Sequence, residues 1–213
     1  METEKVVICM ALQMVHLLTA RLWAQAHAEY RDCPEFYLGA ISPDAIHIRD
    51  GSDKSRKNEF HLYNWTSPDV EKVLEYWQAH HSPFDIGYGI HVLTDAQWVP
   101  RFRSRLTGLL YPDGRLDTAT YYNDTYVTDF ELYREYGGRE LFDSIGRAEL
   151  PDDHPLLTGQ EFGAWRQEMT DLYRGECPKS DPVKYVTRGY VEQFIADAQD
   201  FLNEVYNRHL TDR

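Results

Sequence analysis

The sequence predicts an all-α protein, and three observations carry that expectation. Apolar residues recur at helical spacing through its long segments, strand-like alternation is almost absent, and prolines and glycines fall where helices would start or stop. Residues 5–29 read as one helix, apolar nearly all round and therefore central to the fold. Cys33-Pro34 ends it, and residues 36–44 follow as a short apolar segment leading into a turn. Residues 49–58, where Arg, Asp, Lys and Gly cluster, read as an exposed loop. Ser67-Pro68-Asp69 starts a helix to about His80 that places Val70, Val73, Leu74 and Trp77 on one face. Ser82-Pro83 opens a longer helix through about Leu109, closed by the turn Tyr111-Pro112-Asp113-Gly114. Segments near 119–136, 158–174 and 187–209 complete the helical set, with Pro178 and Pro182 separating the last two.

The 213 residues fit a single domain spanning 1–213, with 42% apolar and 14% aromatic side chains to build its core. Acidic residues outnumber basic ones by 35 to 22, a net charge of −13. That balance argues against general nucleic-acid binding and against binding anionic membranes, both of which need a basic face. It does not argue against a site where carboxylates and imidazoles hold cations, because the ions make such a site locally positive. Cys9, Cys33 and Cys177 are scattered and form no CxxC pair, so neither a thiolate zinc site nor a disulfide framework is expected. The acidic N-terminus does not read as a secretory signal, and Gln13, His16, Thr19 and Arg21 interrupt the apolar stretch from Val6 to Ala24. A cytoplasmic protein without a transmembrane segment is the expectation; the sequence is silent on oligomeric state.

His91 and Asp95 lie four apart in an apolar helix, which puts both side chains on one face within reach of a single metal ion. A carboxylate such as Asp95 can also bridge two ions. The same spacing suits a core histidine bonded to a carboxylate, so the pair alone is a weak signal. His16 sits inside the apolar first helix, Asp44 ends an apolar run and can cap the next short segment, and His61 is flanked by Phe60 and Leu62. Each has an ordinary structural explanation. Taken together they would leave several buried polar groups to be satisfied separately, whereas one zinc cluster would satisfy all five. His47, three residues after Asp44, would share its metal if that stretch is helical, or else lie on the surface. Arg49 and Lys57 would contact a substrate phosphate or simply be solvated; Tyr122 would orient a leaving group or pack in the core.

His16, the run Phe36-Tyr37-Leu38-Gly39-Ala40-Ile41-Ser42-Pro43-Asp44, Lys57 with His61, and Gly87-Tyr88-Gly89-Ile90-His91-Val92-Leu93-Thr94-Asp95 succeed one another in an order that resembles the zinc-dependent phospholipase C family. Tyr121-Tyr122-Asn123-Asp124, Asp129-Phe130-Glu131-Leu132-Tyr133 and Lys184-Tyr185-Val186-Thr187 also look like its bacterial cytoplasmic branch of mostly uncharacterised hydrolases. The resemblance implies a helical fold of the phospholipase C and single-strand nuclease type, with one to three zinc ions, or another divalent metal, in a cleft. Asp44, His61, His91 and Asp95 would hold one ion, and His16 a second that shares Asp95. The sequence lacks the family's N-terminal Trp ligand and its downstream HxxxE pair, for which Asp124 or Asp129 would have to substitute.

The implied activity is hydrolysis of a phosphoric ester by a metal-activated water, which Asp44 would orient as the catalytic carboxylate. A small phosphoester or phospholipid-type molecule is the expected substrate, with a phosphodiester favoured over a monoester. A single-strand nuclease would need a basic-aromatic platform that the sequence does not present. A non-catalytic metal-binding helical protein is the remaining alternative.

Overall fold

A computed structural model describes residues 11–51, 56–62, 70–113 and 115–211, with the side chains of 102 and 103 not described. Helix accounts for 72% of it, and among the described residues there are no strands, so the described fold is all-α. Leu110 and Leu116 form an isolated antiparallel bridge. The expected helix start at Ser67-Pro68-Asp69, the first residues of the expected 5–29 helix and most of the expected 49–58 loop lie outside the described residues.

Helix α1 (Gln13–Ala24) is buried over most of its circumference, as its apolar sequence demands. It is shorter than expected, because the chain turns after Ala24 before the short α2 (Ala28–Arg31). The apolar segment after Cys33 is itself helical: α3 (Pro34–Gly39) takes Pro34 in its first turn, and a 3-10 turn follows over Ser42–Ala45. Two further short helices, α4 (Ile46–Asp50) and α5 (Lys57–Phe60), occupy parts of the stretch expected to be loop. Lys57 is 4% exposed, which corrects the reading of it as a solvated loop residue.

The amphipathic α6 (Val70–Ala79) buries Val73, Leu74 and Trp77, three of the four residues placed on its inner face. Helix α7 (Pro83–Arg105) begins with a reciprocal cap. The Ser82 hydroxyl and amide donate to the Asp85 carboxylate at 2.6 and 3.0 Å, and the Asp85 amide donates back to Ser82 Oγ at 3.3 Å. Asp117 accepts from the Thr120 amide to start α8 (Thr118–Glu135). Helix α9 (Gly138–Ile145), which the sequence reading omitted, starts behind Gly137 at φ 66°, a conformation that favours glycine. A Thr158–Glu161 capping box opens α10 (Gly159–Arg174), and Thr187 accepts from the Tyr190 amide at the start of α11 (Arg188–Thr211).

Buried apolar residues from α1 through α11 belong to one contiguous cluster. Helix α1 packs chiefly on α11, and α3 chiefly on α7. The second contact is a backbone-to-backbone crossing. A Cβ on Gly39 would lie 2.0 Å from the Phe84 carbonyl oxygen, and one on Gly87 would lie 2.0 Å from that of Phe36. Only glycine at both positions lets α3 and α7 approach so closely. That approach sets the Ala40 carbonyl and the Ser42–Ala45 turn against the inner face of α7. Among the described residues no helix is long and apolar enough to cross a membrane.

Candidate metal centre

Five side chains predicted from the sequence converge in the space enclosed by α1, the Ser42–Ala45 turn, α5 and α7. His16, His61, His91 and Asp95 are each 0% exposed and Asp44 is 4% exposed. The Asp95 carboxylate is central. Its Oδ1 lies 3.5 Å from His16 Nε2, and its Oδ2 lies 3.5 Å from His91 Nε2 and 3.7 Å from His61 Nε2. His61 Nε2 is also 3.4 Å from Asp44 Oδ1. The His16 and His91 rings stack with centroids 3.6 Å apart and an interplanar angle of 8°.

The ring orientations are fixed from behind. His91 Nδ1 donates to the Ala40 carbonyl at 2.8 Å, and His61 Nδ1 donates to the Lys57 carbonyl at 3.0 Å. A carbonyl oxygen can only accept, so both bonds place the ring proton on Nδ1 and turn Nε2 towards the carboxylates. Trp165 Nε1 donates to the Ile41 carbonyl at 2.8 Å and Ser42 Oγ to the Leu38 carbonyl at 2.7 Å, which steadies the turn carrying Asp44. The Tyr88 hydroxyl, one turn before His91, donates to the Phe60 carbonyl at 2.5 Å and ties α7 to the chain at His61. Directly after His61, Leu62 has φ 50°, a left-handed conformation costly for a bulky residue.

Electrostatics keep two of the imidazoles uncharged. Burial first, and then the neighbouring His91, push His16 down to about 3 against the pull of Asp95 and Asp44. Burial likewise pushes His61 down to about 3, although the contact with Asp44 works the other way. Both rings are therefore neutral at pH 7 and carry lone pairs. Burial works to raise the Asp44 carboxyl, but Lys57, His61 and His91 outweigh it and hold Asp44 well below the usual carboxylate range.

Five buried atoms of this cluster have no hydrogen-bond partner among the described residues: both nitrogens of His16, Nε2 of His91 and both oxygens of Asp95. Leaving such groups unmet costs on the order of 1–3 kcal/mol each. A divalent cation would satisfy His91 Nε2, the Asp95 oxygens and one nitrogen of His16. The N–O separations of 3.5 and 3.7 Å around Asp95 approach the edge of about 3.3–3.4 Å in a tetrahedron with bonds of about 2.0–2.1 Å. Ligand atoms of His16, Asp44 and His91 lie within 4.8 Å of one another, as do those of His61, His91 and Asp95. The donor set, three imidazoles with two carboxylates, suits zinc.

The other sequence candidates go elsewhere. Asp124 accepts from the backbone amides of Lys184, Tyr185 and Val186 at 2.6–3.2 Å, so its lone pairs anchor that loop instead of a metal. Asp129 accepts from the Tyr173 hydroxyl and, at 3.2 Å, from the Met14 amide, behind α1. Arg49 makes a bidentate pair with Glu161 at 2.5 and 2.7 Å, and His47 bonds the Gly51 carbonyl at 2.9 Å. Tyr122 is partly buried on the core beside Tyr121. Lys57 does reach the cluster, donating to Asp44 Oδ1 at 2.7 Å. Gln13 is a participant the sequence reading passed over, donating to Asp44 Oδ2 at 2.8 Å. Its signal was a polar residue one turn before His16 in an otherwise apolar helix.

A surface groove of about 390 Å³ lies at the α7–α11 seam, lined by Pro100, Arg101, Arg105 and Asp197 among others, and no cluster residue lines it. No protein-family model matches the chain, and no curated protein or solved structure matches it.

Proposed function

We propose that this chain is a zinc-dependent hydrolase of phosphoric esters, a phosphodiesterase of the phospholipase C type. One observation carries the reading: buried imidazole and carboxylate atoms converge without hydrogen-bond partners, and a divalent cation would satisfy most of them. His61, His91 and Asp95 would hold it, with His16 and Asp44 beside them in the same cluster. Zinc bound there would supply Lewis acidity against the negative charge that develops on a phosphoryl group. The Ala40 and Lys57 carbonyls hold His91 and His61 in the ligating tautomer, so little reorganisation is needed. Lys57 neutralises Asp44, so the cation itself would supply the positive charge that favours an anionic substrate in a protein of net charge −13. The substrate is a small phosphoester or a phospholipid headgroup.

The full burial of His16, His61, His91 and Asp95 favours a second reading, in which the metal is structural and the chain is a non-catalytic metal-binding helical protein. Turnover of bis(p-nitrophenyl) phosphate separates the two. The hydrolase reading expects turnover that a chelator suppresses and zinc restores. Asp95→Asn should lower turnover at least about a hundredfold and release the metal, since even partners of metal ligands are worth about 10–100-fold. Undiminished turnover in that variant would sink the hydrolase assignment; bound metal without turnover would establish the structural reading.

A further inference from the structure

The cluster's two carboxylates are committed to different degrees. Asp44 has a donor on each oxygen, the Lys57 ammonium at 2.7 Å on Oδ1 and the Gln13 amide at 2.8 Å on Oδ2. Asp95 has none on either oxygen, and both are turned towards imidazoles. The possible ligand atoms fall into two sets that share His91, one with His61 and Asp95, the other with His16 and Asp44. Only the first set has an uncommitted carboxylate. Lys57 is 4% exposed and is not a surface lysine that happens to lean inward. Holding its ammonium there has a desolvation cost that Asp44 offsets.

Charge decides how many ions fit. Lys57 neutralises Asp44, so with uncharged imidazoles the cluster's remaining negative charge is that of Asp95. One divalent ion leaves a single net positive charge, whereas a second would leave three in a space closed to water, with Lys57 directly opposed to it.

We infer that the chain holds one resident divalent ion, on His61, His91 and Asp95, and that the Lys57 ammonium occupies the cation position beside Asp44 that a second ion would otherwise take. Lys57 is thereby a built-in positioning cation. It fixes Asp44 without a second metal. This rests on the metal-binding part of the proposed function, and the test separates the two.

The full chain, stripped with chelator, is titrated with zinc in a calorimeter, and metal content is measured by mass spectrometry. Wild type should take up one equivalent. Lys57→Met, near in shape but uncharged, frees Asp44 and should bind a second equivalent about tenfold or more tighter than any further zinc in wild type. Lys57→Gln keeps a donor for Asp44 without the charge, guards against a folding failure of the first variant, and should also bind two. Restoring the charge balance with Lys57→Met and Asp44→Asn together should return the count to one. Two or more equivalents in wild type, or one in both single variants, overturns the inference while leaving a metal-dependent hydrolase intact. No zinc bound by wild type overturns both.

Discussion

Asp129 and Asp95 are buried carboxylates, 1% and 0% exposed, with opposite surroundings. Asp95 faces three imidazoles, whereas Asp129 faces a tyrosine hydroxyl and a backbone amide and has no cation beside it among the described residues. Burial therefore dominates at Asp129 and pushes its carboxyl up to about 7, although the Tyr173 and Met14 donors work the other way. The folded value lies above the ordinary 3.8, so through that window the native state keeps a proton that the unfolded chain has released. Stability should fall as pH rises from about 4 to 7, and the full penalty should persist above that. Asp129→Asn keeps an acceptor and cannot ionise. It should melt higher than wild type at pH 8, by up to about 4 kcal/mol in unfolding free energy, and match it near pH 4. Melting curves at the two values check this, and an equal difference at both contradicts it. The cluster residues were legible at this scale because HxxxD is a local pattern and His16 stands out in an apolar helix. Lys57 was legible as a candidate but its pairing with Asp44 was not, and neither was that of Gln13, because they approach Asp44 across 13 and 31 positions of chain.

At the scale of elements, the α3–α7 crossing places the centre. It brings the Ala40 carbonyl to His91 Nδ1, and the crossing exists because Gly39 and Gly87 carry no side chain. Gly87→Ala should force the helices apart and destabilise the fold by about 1–3 kcal/mol, the usual range for overpacking. It should also weaken zinc binding, since His91 loses its anchor. Denaturant unfolding together with zinc titration checks this, and unchanged metal affinity would detach the crossing from the site. Long helices were legible from their apolar spacing and, for α7, from the start signal Ser82-Pro83. The ends and short pieces were not. Gly137 supplies the left-handed residue and Gly138 the first turn of α9, while α4 and α5 emerge where charged residues suggested loop. Asp124 was legible as a polar residue and misread in role, because its partners at 184–186 are 60 or more positions away.

Across the whole molecule, an acidic helical protein surrounds a cluster of imidazoles and carboxylates whose unmet atoms lie in its interior. Folding such a cluster without a cation leaves those desolvation costs in the native state, so a cation that binds only the folded chain should raise its stability by mass action. At about a hundred times its dissociation constant the gain is about 2.7 kcal/mol. For a chain of 213 residues that corresponds to roughly 5–10 °C in melting temperature. The measurement that reaches the central claim most directly is the thermal melt of the chelator-stripped chain with and without zinc, run beside Asp95→Asn. A zinc-dependent rise of that size is expected in wild type and little or none in the variant. No rise in wild type, or an equal rise in Asp95→Asn, would contradict a metal centre built on Asp95.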